Sequence, residues 1–270
     1  MSVMLGRCAG VVALVLLVSL PVTAAEPAPL SRARALYNAG DYDAAIAAAM
    51  EARKIAAAAE PALLVLARAH LERYRQRADP ADLASARESL QGVRLQALAP
   101  RDRVDLVVGY GQSLFLSEAF GAAAELFDTA LSQGGLLPPR SRSLLLDWWA
   151  SALDREAQTR PIDRRLPIFQ KIETRMEDEL RRDPASAPAT YWLVVSSRGA
   201  GDLERSWDAA IAGWVRASMN PESASALRAD IDRFVTQALI ADRARQRQRD
   251  GADAAAALRS EWELIKTQWK

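Results

Sequence analysis

The segment Phe120 to Leu131, FGAAAELFDTAL, sets bulky and tiny side chains on one helical face: Phe120, Ala123, Phe127 and Ala130 recur at three- and four-residue spacing. The methyls of such a helix make grooves and its rings fill those of a neighbour, so the helix is built for close approach to another. The same layout surrounds Tyr42, Ala45, Ala49 and Ala52, then Leu83, Ala86, Leu90 and Val93, and more loosely Leu203, Ser206, Ala210 and Gly213. Four echoes of one pattern predict stacked helical repeats. Half of the 270 residues are hydrophobic and only 6% aromatic, with alanine, the best helix former, supplying much of the difference. An all-α fold follows, with enough chain to bury a sizeable core.

Charge and reactive side chains narrow the chemistry. Thirty-five basic and 34 acidic residues leave a net charge of +1. Such a balance disfavours general nucleic-acid binding, which rewards excess positive charge. Cys8 is the only cysteine and His70 the only histidine. Ser-His-Asp, Cys-His and zinc-hydrolase arrangements therefore have at most one imidazole to work with. No catalytic residue, metal or cofactor is expected. Gly109-Tyr110-Gly111 lies inside a helical period and lacks the Lys-Ser/Thr of a phosphate loop, so it reads as close helix packing. Glu177, Asp178 and Glu179, flanked by arginines, read as a solvated, ion-paired face.

At the N-terminus, one positive charge at Arg7, an apolar run from Val11 to Leu20 and the small residues Val22 to Ala25 make the layout of a signal peptide, cleaved after Ala24 or Ala25. Ser19 and Pro21 leave the run short of the roughly 20 residues a membrane span needs. The expectation is a periplasmic or secreted protein with no membrane span after cleavage, and with no thiol, because Cys8 departs with the leader. An uncleaved anchor is the competing reading.

Residues 26–30 form a short tether. Helices are then expected at Ser31–Ala39, Tyr42–Ala59, Pro61–Gln76, Asp82–Ala99, a pair within Arg101–Gln133, Ser141–Gln158, Ile168–Arg182, Ala189–Arg198, Asp202–Ala217, Pro221–Arg249 and Ala252–Trp269. Gly40-Asp41 and Gly201-Asp202 mark turns, glycine ending one helix and aspartate capping the next. The organisation read from this is three helix pairs over 31–135, two divergent tryptophan-rich pairs over 136–220 and capping helices over 221–270, with the stretch from Arg243 to Asp250 on the polar outer face.

Ala33 to Ala52, ARALYNAGDYDAAIAAAMEA, resembles a tetratricopeptide repeat, whose helix pair turns at Gly-Asp-Tyr and runs on through alanine and an aliphatic residue. Gly111, Phe120 and Ala123 resemble the same pattern in the third pair. Ala45, Ala86 and Ala123 stand 41 and 37 residues apart, against the family's 34, so the copies are divergent. The resemblance implies an α-solenoid of antiparallel helix hairpins coiled into a right-handed superhelix, with a peptide or protein partner held in its concave groove. On the helices that face the groove in that family it would place Arg34, Tyr37, Asn38, His70, Arg73, Gln112, Phe115, Tyr191 and Arg198. The adjacent pair Trp148-Trp149 diverges by about 100° on a helix, so one ring is expected to pack and Trp148 is taken as an aromatic anchor facing a partner.

The function expected is a non-catalytic interaction scaffold of the bacterial cell envelope. The alternatives are a small-ligand binder with a pocket between the tryptophan-rich pairs, an accessory subunit of a cell-wall enzyme or that enzyme itself, and a membrane-tethered assembly factor.

Overall fold

A computed structural model describes residues 28–247 and 254–269; the expected leader, its cleavage site and Cys8 lie outside them. Every regular element among the described residues is helical. In chain order these are α1 (Ala28–Asn38), α2 (Tyr42–Arg53), α3 (Ala59–Arg77), α4 (Pro80–Gln91), α5 (Pro100–Phe115), α6 (Phe120–Ser132) and α7 (Pro139–Thr159), followed by α8 (Leu166–Arg182), α9 (Ala187–Gly199), α10 (Leu203–Arg216), α11 (Pro221–Phe234), α12 (Ile240–Arg247) and α13 (Ala254–Gln268). A π-helical segment, Val235–Leu239, joins α11 to α12 without a break. No helix of the described residues is long and apolar enough to cross a membrane.

Each helix packs on its neighbours in the chain, and helices two apart also touch: α1 with α3, α3 with α5, α7 with α9, and α9 with α11. The small residues of the repeating pattern make this possible. Ala45, Ala49, Ala86, Ala123 and Ala210 are fully buried, and a Cβ built on Gly111 would stand 2.5 Å from the Phe127 ring. Gly109 meets Leu90 in the same way, and Gly199 meets Phe169. Sequence and packing agree at these points, because only glycine lets a ring from one helix lie on the backbone of the next.

Three hairpins share one turn. The backbone N–H of Asp41, Ala119 and Asp202 donates to Leu36, Leu114 and Ser197 respectively, each five residues back, and the preceding residue is left-handed in every case: Gly40 (φ +81°), Glu118 (φ +61°) and Gly201 (φ +85°). Asp41 and Asp202 then cap α2 and α10 by accepting from the N–H groups of Ala44 and Arg205 at 3.1 and 2.9 Å. The α7–α8 connection departs from this, passing through Pro161 and a short 3-10 turn, Ile162–Arg164.

Several boundaries differ from those the sequence predicts. Ala28–Leu30 belong to α1 and not to a tether, because Pro29 is tolerated in a first turn and Leu30 is buried against α3. The helix expected to reach Ala59 stops at Arg53: Ile55 turns extended and the alanine run re-enters as a 3-10 turn that buries Ala58. The one expected to reach Ala99 stops at Gln91. There Glu60, itself buried, accepts the Arg94 backbone N–H at 2.8 Å and its Nε at 2.6 Å, pulling the chain out of helical geometry. Good helix propensity loses to tertiary contact at the first place, while at the second the poor helix former Gly92 and the Glu60 contact act together.

Two charged stretches are also corrected. Glu179 is not on a solvated face: it is 4% exposed and takes a two-pronged bond from Arg142 of α7, at 2.9 and 2.7 Å. Arg243, expected on the outer face, is 2% exposed, stacks 4.6 Å from the Trp207 ring centre and pairs with Glu204 at 2.5 Å.

Burial pushes the Glu179 carboxyl up, but the bonds and charge of Arg142 outweigh it and hold the group below its ordinary value of 4.5. A depressed carboxyl stabilises the fold fully above its unfolded value, and that contribution is lost as pH falls through the folded one. Arg142→Ala is expected to cost about 3 kcal/mol at neutral pH by stranding a buried charge, and adding Glu179→Gln to recover part of it. Glu179→Gln alone should show a shallower loss of stability below pH 4.5 in urea titrations. The shared turn predicts opposite signs at equivalent sites. Gly40→Ala should destabilise by about 1 kcal/mol, whereas Glu118→Gly should stabilise by roughly 0.5 kcal/mol, relief of left-handed strain exceeding glycine's entropic cost.

Candidate functional site

The odd-numbered helices place their free faces side by side, and two clefts open there. The first, about 180 Å³, lies between α1, α3 and α5 and is lined by Arg34, Tyr37 and Asn38, by Leu64 and Arg68, and by Arg101, Asp102 and Asp105. Arg34, Tyr37 and Asn38 share one face because they lie three and four residues apart on α1. The Arg68 guanidinium lies over the Tyr37 ring, 4.6 Å from its centre, and comes within 3.6 Å of the Asp105 carboxylate. Across the mouth, Arg34 Nη2 donates to Asp102 Oδ1 at 3.1 Å, joining α1 to α5 past the intervening α3. Burial pushes the Tyr37 phenol above its usual range; the positive charge of Arg68 opposes the shift and Glu72 adds to it. Burial would lower the Arg68 guanidinium, but Tyr37 and Asp105 outweigh it and keep the group firmly charged. Arg101 and Asn38 stay exposed at the rim.

His70 and Arg73 lie elsewhere on α3, facing α2 and α4. His70 Nδ1 is 2.8 Å from Asp82 Oδ1, and Arg73 donates through Nε to both Asp82 oxygens at 3.0 Å and through Nη1 to Asp43 at 2.7 Å. Burial acts to raise the Asp82 carboxyl, yet the bonds from Arg73 and His70 hold it below its ordinary value. This group is a hairpin clasp.

Gln112 is buried within α5. Phe115 meets Trp148 edge-to-face at 4.9 Å and Phe120 at 5.2 Å. Trp148 is half-buried with Arg75 stacked 5.0 Å from its ring centre, whereas its neighbour Trp149 is fully buried. The two tryptophans thus divide as their angular separation requires, but Trp148 sits against Arg75 and Phe115 and lines neither cleft.

Tyr191 lies in the second cleft, about 360 Å³, between α7, α9 and α11. Its walls are Leu144, Ala187, Pro188, Ala226 and Leu227, with Ser143, Asp147, Ser223 and Asp230 around them. One helical period pair along α9, Arg198 donates to Asp242 at 2.6 Å and lies 5.7 Å from the Phe234 ring centre. The structure therefore brings together Arg34, Tyr37 and Asn38, places Tyr191 in a separate cleft, and sets the remaining predicted residues in packing or ion-pair roles.

Arg68, Asp102 and Asp105 were not reached from sequence. The face of α3 that carries Leu64, Val65 and Arg68 stands about 200° around the helix from His70, and the i, i+3, i+4 spacing of Pro61, Leu64, Val65 and Arg68 was the available signal. Among the described residues no group of three His, Cys, Asp or Glu side chains is arranged to hold a metal ion.

The stacking in the first cleft carries a stability test. Arg68→Gln should cost about 1 kcal/mol in chemical denaturation, from the lost ring stacking and the lost approach to Asp105, whereas Arg101→Gln at the rim should change stability by less than about 0.5 kcal/mol. No protein-family model matches the chain, and neither does any curated protein or solved structure.

Proposed function

We propose that the protein is a non-catalytic, exported scaffold in which tetratricopeptide-like hairpins form an α-solenoid, and that it binds a peptide or protein segment along the face made by α1, α3 and α5. The observation that carries this reading is the cleft itself. Three consecutive odd-numbered helices present arginine, tyrosine and asparagine side chains there, with the Tyr37–Arg68 stack fixed in place before any partner arrives. A preorganised aromatic and guanidinium surface binds with little ordering cost and is the side-chain type that dominates interface energies. The recurrence of one turn at Gly40, Glu118 and Gly201, and the contacts between helices two apart, support the repeat reading. Export rests on the leader-like first 25 residues alone.

A photo-crosslinking amino acid at Asn38 or Arg101, both exposed at the cleft rim, is expected to yield one discrete adduct in cells. The same group at the exposed Glu88 of α4 should yield none. Equal labelling from all three positions, or adducts from Glu88 alone, would remove the binding face from this side of the molecule.

A further inference from the structure

The second cleft differs from the first in the chemistry it offers. Its floor is aliphatic: Leu227 of α11 is buried, while Leu144 of α7 stands 58% exposed, an unusual position for a leucine on a helix whose neighbouring faces are well packed. Its rim is acidic, with Asp147 on α7 and Asp230 on α11, and no lysine or arginine lines it. The first cleft, by contrast, is lined by Arg34, Arg68 and Arg101.

The acids are only partly satisfied within the chain. Asp147 accepts from the neutral indole N–H of Trp192 at 2.8 Å, and Asp154, one helical repeat further along α7, accepts from the Gln158 amide at 2.7 Å. Neither makes an ion pair with an arginine or lysine of the described residues. Asp230 meets Arg233 at 3.3 Å, both side chains being largely exposed. Arg198, the nearest guanidinium on α9, is taken up by Asp242. The acids are felt at Tyr191 in the cleft wall: burial raises its phenol first, Asp230, Asp147 and Asp154 each push it further, and Arg233 opposes them only in part.

An aliphatic slot rimmed by two carboxylates, Asp147 bonded only to a neutral indole and Asp230 in an exposed pair with Arg233, is complementary to a ligand that is greasy at one point and positive on either side. We propose that the cleft between α7, α9 and α11 is a docking site for a basic amphipathic peptide, one aliphatic side chain of which seats between Leu144 and Leu227 while flanking lysine or arginine side chains meet Asp147 and Asp230. At about 360 Å³ the slot lies near the lower end of ligand-pocket sizes, suited to one anchor side chain with its neighbours left at the rim. Charge complementarity selects the sign of the peptide and speeds its encounter, and the anchor sets how long it stays. The site shares no lining residue with the α1, α3 and α5 cleft, so the two stand or fall separately.

The test is fluorescence anisotropy on the full chain with two short labelled peptides, one carrying Lys-Leu-Lys at its centre and one Glu-Leu-Glu. The basic peptide should bind, more weakly as salt is raised, and the acidic one should not. Asp147→Asn with Asp230→Asn should weaken the basic peptide about tenfold and Leu144→Ala about fivefold. Asparagine can still accept from the Trp192 indole and Leu144 is exposed, so circular dichroism and melting should stay at wild type. Asn38→Ala with Arg101→Gln in the other cleft should leave the affinity unchanged. Equal binding of both peptides, no binding of either, or an affinity indifferent to the acid and Leu144 variants would overturn the proposal. A loss caused equally by the Asn38 and Arg101 changes would also overturn it, by locating the peptide in the first cleft.

Discussion

Rings resting on glycine backbone set the distances on which the rest of this molecule depends. Phe127 lies on Gly111 and Phe169 on Gly199, while Leu90 reaches Gly109. Once a phenylalanine or leucine fills the notch over a glycine the seam is full, and Arg34, Tyr37, Arg101, Asp147 and Asp230 lie on the outward faces of α1, α5, α7 and α11. The clefts are a by-product of that sorting. Where alanine and glycine fill the seams, the bulky polar side chains that remain gather on what is left of the surface.

Fixed charges then hold neighbouring hairpins in register. Glu60 with Arg94, Glu179 with Arg142, and Glu204 with Arg243 each join segments far apart in sequence, Asp82 with Arg73 clasps a single hairpin, and each pair involves at least one buried partner. Arginine suits this work because its planar fork can satisfy a carboxylate at two points while its stem packs against aliphatic surface. The net stability such pairs add is modest, since the cost of removing two charges from water offsets much of their attraction, whereas removing one partner strands the other.

Helices were legible in the sequence because their apolar spacing is strong and their turns are punctuated. Gly40-Asp41 and Gly201-Asp202 fall where glycine and aspartate announce them. Glu118 adopts the same left-handed geometry without the usual residue, so the turn there was marked only by the patterns on either side. The end at Arg53 was not legible, since alanine-rich chain continues as helix unless something distant stops it. At Gln91 the glycine that follows, Gly92, is a local mark that the apolar periodicity beyond it masks, and Glu60, thirty-odd residues away, holds the chain beyond it. The site divides along the same line. Arg34, Tyr37 and Asn38 fall together because one helix carries all three, whereas the partners Arg68, Asp102 and Asp105 come from other helices, and the local spacing that marks Arg68 as sharing a face with Leu64 does not say which helix that face meets. Glu179 looked solvated among its charged neighbours, and the residue that takes it inside, Arg142, is on another helix.

The bond from Arg34 to Asp102 joins α1 to α5 past the intervening α3. A stack of helices that touch only their neighbours can be drawn out, each step yielding a little. A tie that skips a helix opposes that motion over the span it covers and favours α1, α3 and α5 moving together. Because the tie is ionic and partly exposed, its tension weakens as salt screens it, which makes the stiffness of this end of the molecule a property of the surrounding medium as well as of the chain.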